Sequence, residues 1–147
     1  MRAAPLIPVF LDASMLLAAA GSPQGGASVV LYLCGEFVSG AVSAAVLTEA
    51  ERNIHAKLPP AAWERWQYLL LTTPLVSVEV PADAERYADA VSAKDAHVYA
   101  AALAARSRYL ITLDRPLITR VKALAGPLLA LTPGTFLTTE LRGGANR

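Results

Sequence analysis

Two short apolar runs, Leu6–Leu11 and Tyr109–Leu113, each lead directly into an aspartate, Asp12 and Asp114. Runs of this length, rich in Val, Ile, Leu and aromatic residues, read as strands buried on both faces, the kind found in parallel sheets. Helical patterns fill much of the chain between them. A Gly/Ser/Pro/Gln patch, Gly21–Gly26, precedes a helical run over Ala27–Phe37. Ser39–Ser43 holds a brief strand, and Ser43 is placed to cap a helix over Ala44–Lys57 that stops before Pro59-Pro60. Pro60 opens a further helix to about Leu71, with Trp63, Trp66 and Leu70 at i, i+3 and i+7. Leu75–Val80 alternates as a strand, a short helix follows Pro81, and another runs from Lys94 to about Arg106. After Tyr109–Leu113 come a helix over Pro116–Leu124, a strand at Leu128–Leu131 and a short terminal helix. Strands and helices alternating at this pace predict one α/β domain over residues 1–147, a three-layer α/β/α sandwich with a central, mainly parallel sheet. Such sheets bind ligands off the carboxyl ends of their strands, where Asp12 and Asp114 stand.

Composition narrows the class. At 147 residues, 54% hydrophobic and 17% charged, the chain is too apolar for disorder and predicts a large core or a covered oligomer face. A net charge of +1 sets up no overall field for nucleic acid, but the charge is uneven. Residues 1–93 carry five Lys/Arg against nine acids. Residues 94–147 carry eight (Lys94, Arg106, Arg108, Arg115, Arg120, Lys122, Arg142 and Arg147) against three. That excess suits a phosphate backbone, and equally suits ordinary solvated side chains. The single cysteine, Cys34, excludes an intrachain disulfide and a cysteine-rich zinc site, and reads as a small core residue. Two histidines, His55 and His97, are too few for a histidine-based metal site. The opening MRAAPLIPVFLDASMLLAAAGS has the outline of a secretory signal, but Asp12 in the middle of its apolar core opposes insertion. No apolar stretch reaches the roughly 18 residues a membrane helix needs, so a cytoplasmic protein with no membrane partner is expected.

Four carboxylates, Asp12, Glu49, Asp95 and Asp114, fall where strand or helix ends can bring them into one pocket. Clustered acids without matching bases are costly unless a hard divalent cation holds them together. An all-oxygen ligand set selects Mg2+ or Mn2+ over zinc. Asp95 has Val98 and Ala102 at i+3 and i+7, so it shares the apolar face of its helix. An aspartate in a first turn also suits the helix dipole on its own account. The glutamate stays open on periodicity: Val46, Leu47, Ala50 and Ile54 define the apolar face, and Glu51 lies nearer its edge than Glu49.

In chain order these pieces resemble the PIN-domain family, the nuclease fold shared by VapC-type toxins of toxin–antitoxin systems. They are FLDASMLLA, where Asp12 ends strand one; Ser43–Glu49, with the glutamate early on a helix; Asp95–Leu103; and YLITLD, a Thr-x-Asp pattern made by Thr112 and Asp114. The similarity spans Val9 to about Leu117, and LTPGTFL is similar to the family's closing strand and helix. The resemblance selects Glu49. It implies that Asp12, Glu49, Asp95 and Asp114 bind Mg2+ or Mn2+ and that the chain hydrolyses RNA phosphodiester bonds, with Ser14 and Thr112 orienting the acids. Members often carry Thr/Ser-Asn after the first aspartate, whereas this chain has Ala13 and Ser14. The resemblance also implies a homodimer and an antitoxin partner.

Two rival readings accompany it. One is a catalytically weak PIN-like module that binds RNA or protein, for which Ala13 is the best support. The other is a haloacid-dehalogenase-like phosphatase, whose nucleophilic aspartate usually has a second aspartate two residues on, where this chain has Ser14. The Trp63/Trp66 pair reads as a core-facing stripe, with an exposed patch for a partner as the alternative. Tyr99 and Tyr109 read as packing residues, with base stacking as the alternative.

Overall fold

The computed structural model describes residues 5–141. In that range β1 (Ile7–Leu11), β2 (Val38–Val42), β3 (Leu75–Ser77), β4 (Tyr109–Ile111) and β5 (Leu129–Leu131) form one sheet of order β3-β2-β1-β4-β5. Every pairing is parallel, so the sheet expected to be mainly parallel is wholly so among the described residues. Val9, Phe10 and Leu11 of the central β1 are fully buried. A strand with no polar side is stable only when helices cover both faces of the sheet.

The helices divide accordingly. α1 (Ala13–Gly21) and α2 (Gly26–Tyr32) lead to β2, and α3 (Ala44–Lys57) and α4 (Pro60–Thr72) lead to β3. α1 packs on α2, α3 and α4, which therefore share a layer. A 3-10 turn at Ala84–Tyr87, α5 (Ala88–Val91) and α6 (Ala96–Ala104) then lead to β4, and α7 (Arg115–Leu124) to β5. α5 packs on α6 and α7, and α6 lies on β1 and β4. Crossovers are right-handed, so reversing the strand order moves the later helices to the opposite face. The three-layer α/β/α sandwich follows. α8 (Pro133–Thr135), against α2, and a π-helical turn at Phe136–Leu141 end the described chain.

Local chemistry sets several boundaries. Ser43, fully buried, accepts from the Val46 N–H at 3.2 Å and starts α3. Pro60 occupies the first turn of α4, where its missing N–H costs nothing. Trp66 is buried and its Nε1–H donates to Glu51 at 2.9 Å, tying α4 to α3. Trp63 is half-buried and stacks on His55 at 4.0 Å. Tyr99 packs edge-on to Tyr87 and Tyr109 edge-on to Phe136, so both are packing residues.

Some boundaries differ from the sequence reading. The helix expected to reach Phe37 ends at Tyr32, because Gly35 turns the chain at φ +96° and its N–H donates to the Val38 carbonyl at 2.8 Å. A Cβ at Gly35 would also meet Pro74 at 2.9 Å. The strand expected over Leu75–Val80 keeps three residues, Leu75–Ser77, because β3 pairs on one side only, with β2. The helix expected from Lys94 begins at Ala96, leaving Asp95 at its N-cap. Arg108 lies over the Tyr109 ring and Arg120 donates to the Val91 carbonyl, so part of the C-terminal positive charge serves packing. Arg142 and Arg147 lie outside the described residues. No helix of the described residues is long and apolar enough to cross a membrane.

Candidate functional site

The strand order reverses at β1: the chain builds outward to β2 and β3, then returns to the other side of β1 with β4. Open α/β sheets bind ligands at the carboxyl ends of the strands that flank such a switch point. Asp12 is the first residue past β1 and Thr112 the first past β4. The Asp12 N–H donates to the Ile111 carbonyl at 3.1 Å, and the Thr112 N–H to Leu131 at 2.9 Å. Pairing across the sheet thus fixes both residues at its edge.

Asp12 is 6% exposed, and every hydrogen bond to its carboxylate comes from nearby donors that the fold supplies. Oδ1 accepts from the Ala13 N–H at 2.8 Å. Oδ2 accepts from the Thr112 hydroxyl at 2.7 Å and the Ser14 hydroxyl at 3.2 Å. Ser14 Oγ also accepts from the Leu113 N–H at 3.0 Å, and Thr112 Oγ1 accepts from the Asp114 N–H at 3.1 Å. These two hydroxyls therefore latch the end of β1 to the end of β4. Asp114, half-buried, caps α7 through Oδ1, which accepts from the Leu117 N–H at 3.2 Å.

Asp95 reaches the same region from α6 and is 7% exposed. It stands ahead of the first turn and makes no capping bond with its side chain. Ser92 holds it: the Ser92 hydroxyl donates to Asp95 Oδ2 at 3.2 Å and accepts from the Asp95 N–H at 3.1 Å. Sequence reading passed over Ser92, although a serine three residues before an aspartate in SAKD is a recognisable turn signal. Glu49 is half-buried on α3, whereas Glu51 is engaged by Trp66 in the α3–α4 contact.

The acids act on one another's charge in part: Glu49 on Asp12, and Asp12 and Asp114 on Asp95. Burial, chiefly, pushes the Asp12 carboxyl above its ordinary range; the Thr112 and Ala13 bonds oppose this, and the charge of Glu49 adds to it. Burial likewise raises Asp95 and the charges of Asp114 and Asp12 add, while the Ser92 bond and the charge of Lys94 oppose. Among the described residues the ion pair present is Arg86–Asp83, so none of the four acids is ion-paired, although the charge of Lys94 acts on Asp95. Asp95 Oδ1, Asp114 Oδ2 and both Glu49 oxygens accept no hydrogen bond from described residues. Carboxylate oxygens left without hydrogen-bond donors, close to other acids, are the donor chemistry a hard cation requires. As posed, though, no three His, Cys, Asp or Glu side chains among the described residues form a group that could hold a metal ion.

The architecture is PIN-like. Two solved structures share it: VapBC2 from Rickettsia felis, solved bound to a DNA fragment from their promoter, and PAE2754 from Pyrobaculum aerophilum. The first has a TM-score of 0.61 and 14% identity, covering 86% of this chain and 98% of that one. The second has a TM-score of 0.65 and 19% identity, covering 96% and 97%. At such identities the likeness carries the fold alone. No family model and no curated protein matches the sequence.

Proposed function

We propose that the chain is a metal-dependent endoribonuclease that hydrolyses RNA phosphodiester bonds, and that it is the toxin of a toxin–antitoxin pair acting in the cytoplasm. The observation that carries this reading is the buried Asp12 carboxylate at the sheet's switch point, with the charge of Glu49 acting on it, those of Asp12 and Asp114 acting on Asp95, and none of the four in an ion pair. These four would hold Mg2+ or Mn2+. When bound, such an ion supplies charge neutralisation and Lewis-acid polarisation of a phosphoryl oxygen. The chain's own residues prepare the site. Thr112 and Ser14 fix the direction of the Asp12 carboxylate, and Thr112 fixes the Asp114 backbone. α7 holds one oxygen of Asp114 and leaves the other for the ion. The apolar wall of β1 and β4 keeps the dielectric low behind the acids, which strengthens every charge interaction there. No side-chain nucleophile is needed.

The VapBC2 likeness supports an antitoxin partner, and an exposed apolar cleft suits that partner or a second copy of this chain. Between α2 and α4 lies an apolar cleft of about 600 Å3, lined by Val29, Leu33, Tyr68 and Leu69, with Tyr32 89% exposed beside it. A catalytically weak RNA- or protein-binding module is the second reading, favoured by Ala13 and by the lack, among the described residues, of three acids grouped closely enough to hold an ion. Incubating the protein with a mixed RNA pool, with and without Mn2+, and sequencing the fragment ends decides between them. Mn2+-dependent cleavage at defined sites is expected; intact RNA in both arms refutes the nuclease reading.

A further inference from the structure

Asp95 behaves unlike the other two aspartates of the cluster. Asp12 and Asp114 each give one oxygen to an amide in the first turn of the helix they precede. Asp95 occupies the equivalent place before α6, yet its carboxylate caps nothing. Its own backbone is helical, at φ −100° and ψ −1°, instead of the extended conformation a capping residue adopts. The oxygen that would cap is drawn backward to the Ser92 hydroxyl. Ser92 in turn sits at φ +141° and ψ 158°, a region that is essentially glycine's alone. Glycine would fit there without strain but would bring no hydroxyl. The strained serine makes two bonds, both to Asp95.

We infer that Ser92 is a positioning residue whose hydroxyl turns the Asp95 carboxylate away from its own helix and toward Asp12 and Asp114. The inference rests on the reading of these acids as a cation site. It explains why a conformation costly to any residue but glycine is occupied by serine, and why an aspartate at an N-cap leaves the helix uncapped. The charges of Asp114 and Asp12 act on Asp95, opposed by that of Lys94, so the carboxylate that Ser92 holds lies within the field of the cluster.

Two full-length variants, Ser92→Gly and Ser92→Ala, test it with three measurements: melting temperature without metal, a metal-free crystal structure, and Mn2+ affinity by electron paramagnetic resonance. Ser92→Gly is expected to melt at or above the wild type, since the backbone strain is gone. Its Asp95 carboxylate is expected to swing onto the first amides of α6, and Mn2+ to bind about 10–100-fold more weakly. Ser92→Ala is expected to lose Mn2+ affinity by a similar factor with no gain in melting temperature. A purely structural role for Ser92 would leave Mn2+ affinity unchanged in both, and that result overturns the inference. So does a Ser92→Gly crystal with Asp95 in its wild-type pose. If the wild type itself binds no Mn2+, the cation reading fails and the Asp95 pose alone judges Ser92. Ser92→Ala, which keeps its Cβ, supplies the pose and the affinity should the glycine variant not fold.

Discussion

Replacing Thr112 by valine keeps the shape of a fully buried side chain and removes its hydroxyl. In the wild type that hydroxyl donates to Asp12 Oδ2 at 2.7 Å and accepts from the Asp114 N–H at 3.1 Å. A hydrogen bond to a charged group contributes about 1.5–3 kcal/mol, and an amide left partly buried without a partner adds about 1 kcal/mol. The expected loss is therefore about 3 kcal/mol, or a fall in melting temperature of about 6–12 °C for a chain of this size. The loss should depend on pH. The folded Asp12 carboxyl titrates above its unfolded value because of burial, and the Thr112 bond opposes that shift. A raised carboxyl contributes stability that is full below the unfolded value and is lost as pH rises through the folded one. Without Thr112 the carboxyl rises further, so the variant's penalty is largest at neutral pH and narrows toward pH 4, leaving the part due to the Asp114 amide. Calorimetric melts of metal-free wild type, Thr112→Val and Thr112→Ser from pH 4 to 8 provide the check, with the serine variant close to wild type. A valine variant melting within about 2 °C of wild type at neutral pH, or a penalty that does not change with pH, refutes the reasoning.

Asp12→Asn should abolish Mn2+-dependent RNA cleavage, while the metal-free protein is at least as stable as wild type at pH 7, because a buried charge is removed at nearly constant volume; cleavage assays and thermal melts read both. Saturating Mn2+ at about 100 times its dissociation constant should stabilise the wild type by about 2.7 kcal/mol, reversibly with chelator, and Asp12→Asn should lose this. Gly35→Ala should cost about 1–2 kcal/mol, since φ +96° is left-handed and the new Cβ meets Pro74 at 2.9 Å; urea titration measures it. Burial pushes the Cys34 thiol up to about 11, so alkylation of the native protein should stay slow at pH 8. The same thiol's contribution to stability should be complete below pH 9 and lost as pH rises toward 11, as alkaline denaturation curves would show.

The sheet was legible because a parallel strand buried on both faces leaves an unbroken apolar run, as Leu6–Leu11 does, and because its end is marked by the polar residue that follows. Asp12 directly follows β1 for that reason, whereas the strand read to Leu113 ends at Ile111 and Asp114 lies beyond it, at the N-cap of α7. Ser43 and Pro60 announced α3 and α4 through capping chemistry that acts over three or four residues. Features set by distant partners were not legible. Periodicity leaned toward Glu51 over Glu49, yet Glu51 owes its half-buried place to Trp66 on the next helix. The truncation of the strand after Leu75 follows from its place at the sheet edge, which strand order alone determines. The helical pattern through Phe37 was broken by one glycine whose turn is closed against Pro74, far along the chain. At Ser92 the composition gave no hint of a positive φ, because the usual marker of that conformation is glycine.

The hydroxyl latch between Asp12 and Thr112 joins residues exactly a hundred positions apart in spirit and in number, which ties the assembly of the acids to protein synthesis itself. A nascent chain that has released β1, α3 and their carboxylates from the ribosome still lacks the strand that orders Asp12. Until Thr112 emerges and β4 docks, the Asp12 carboxylate lacks the shortest of its hydrogen bonds.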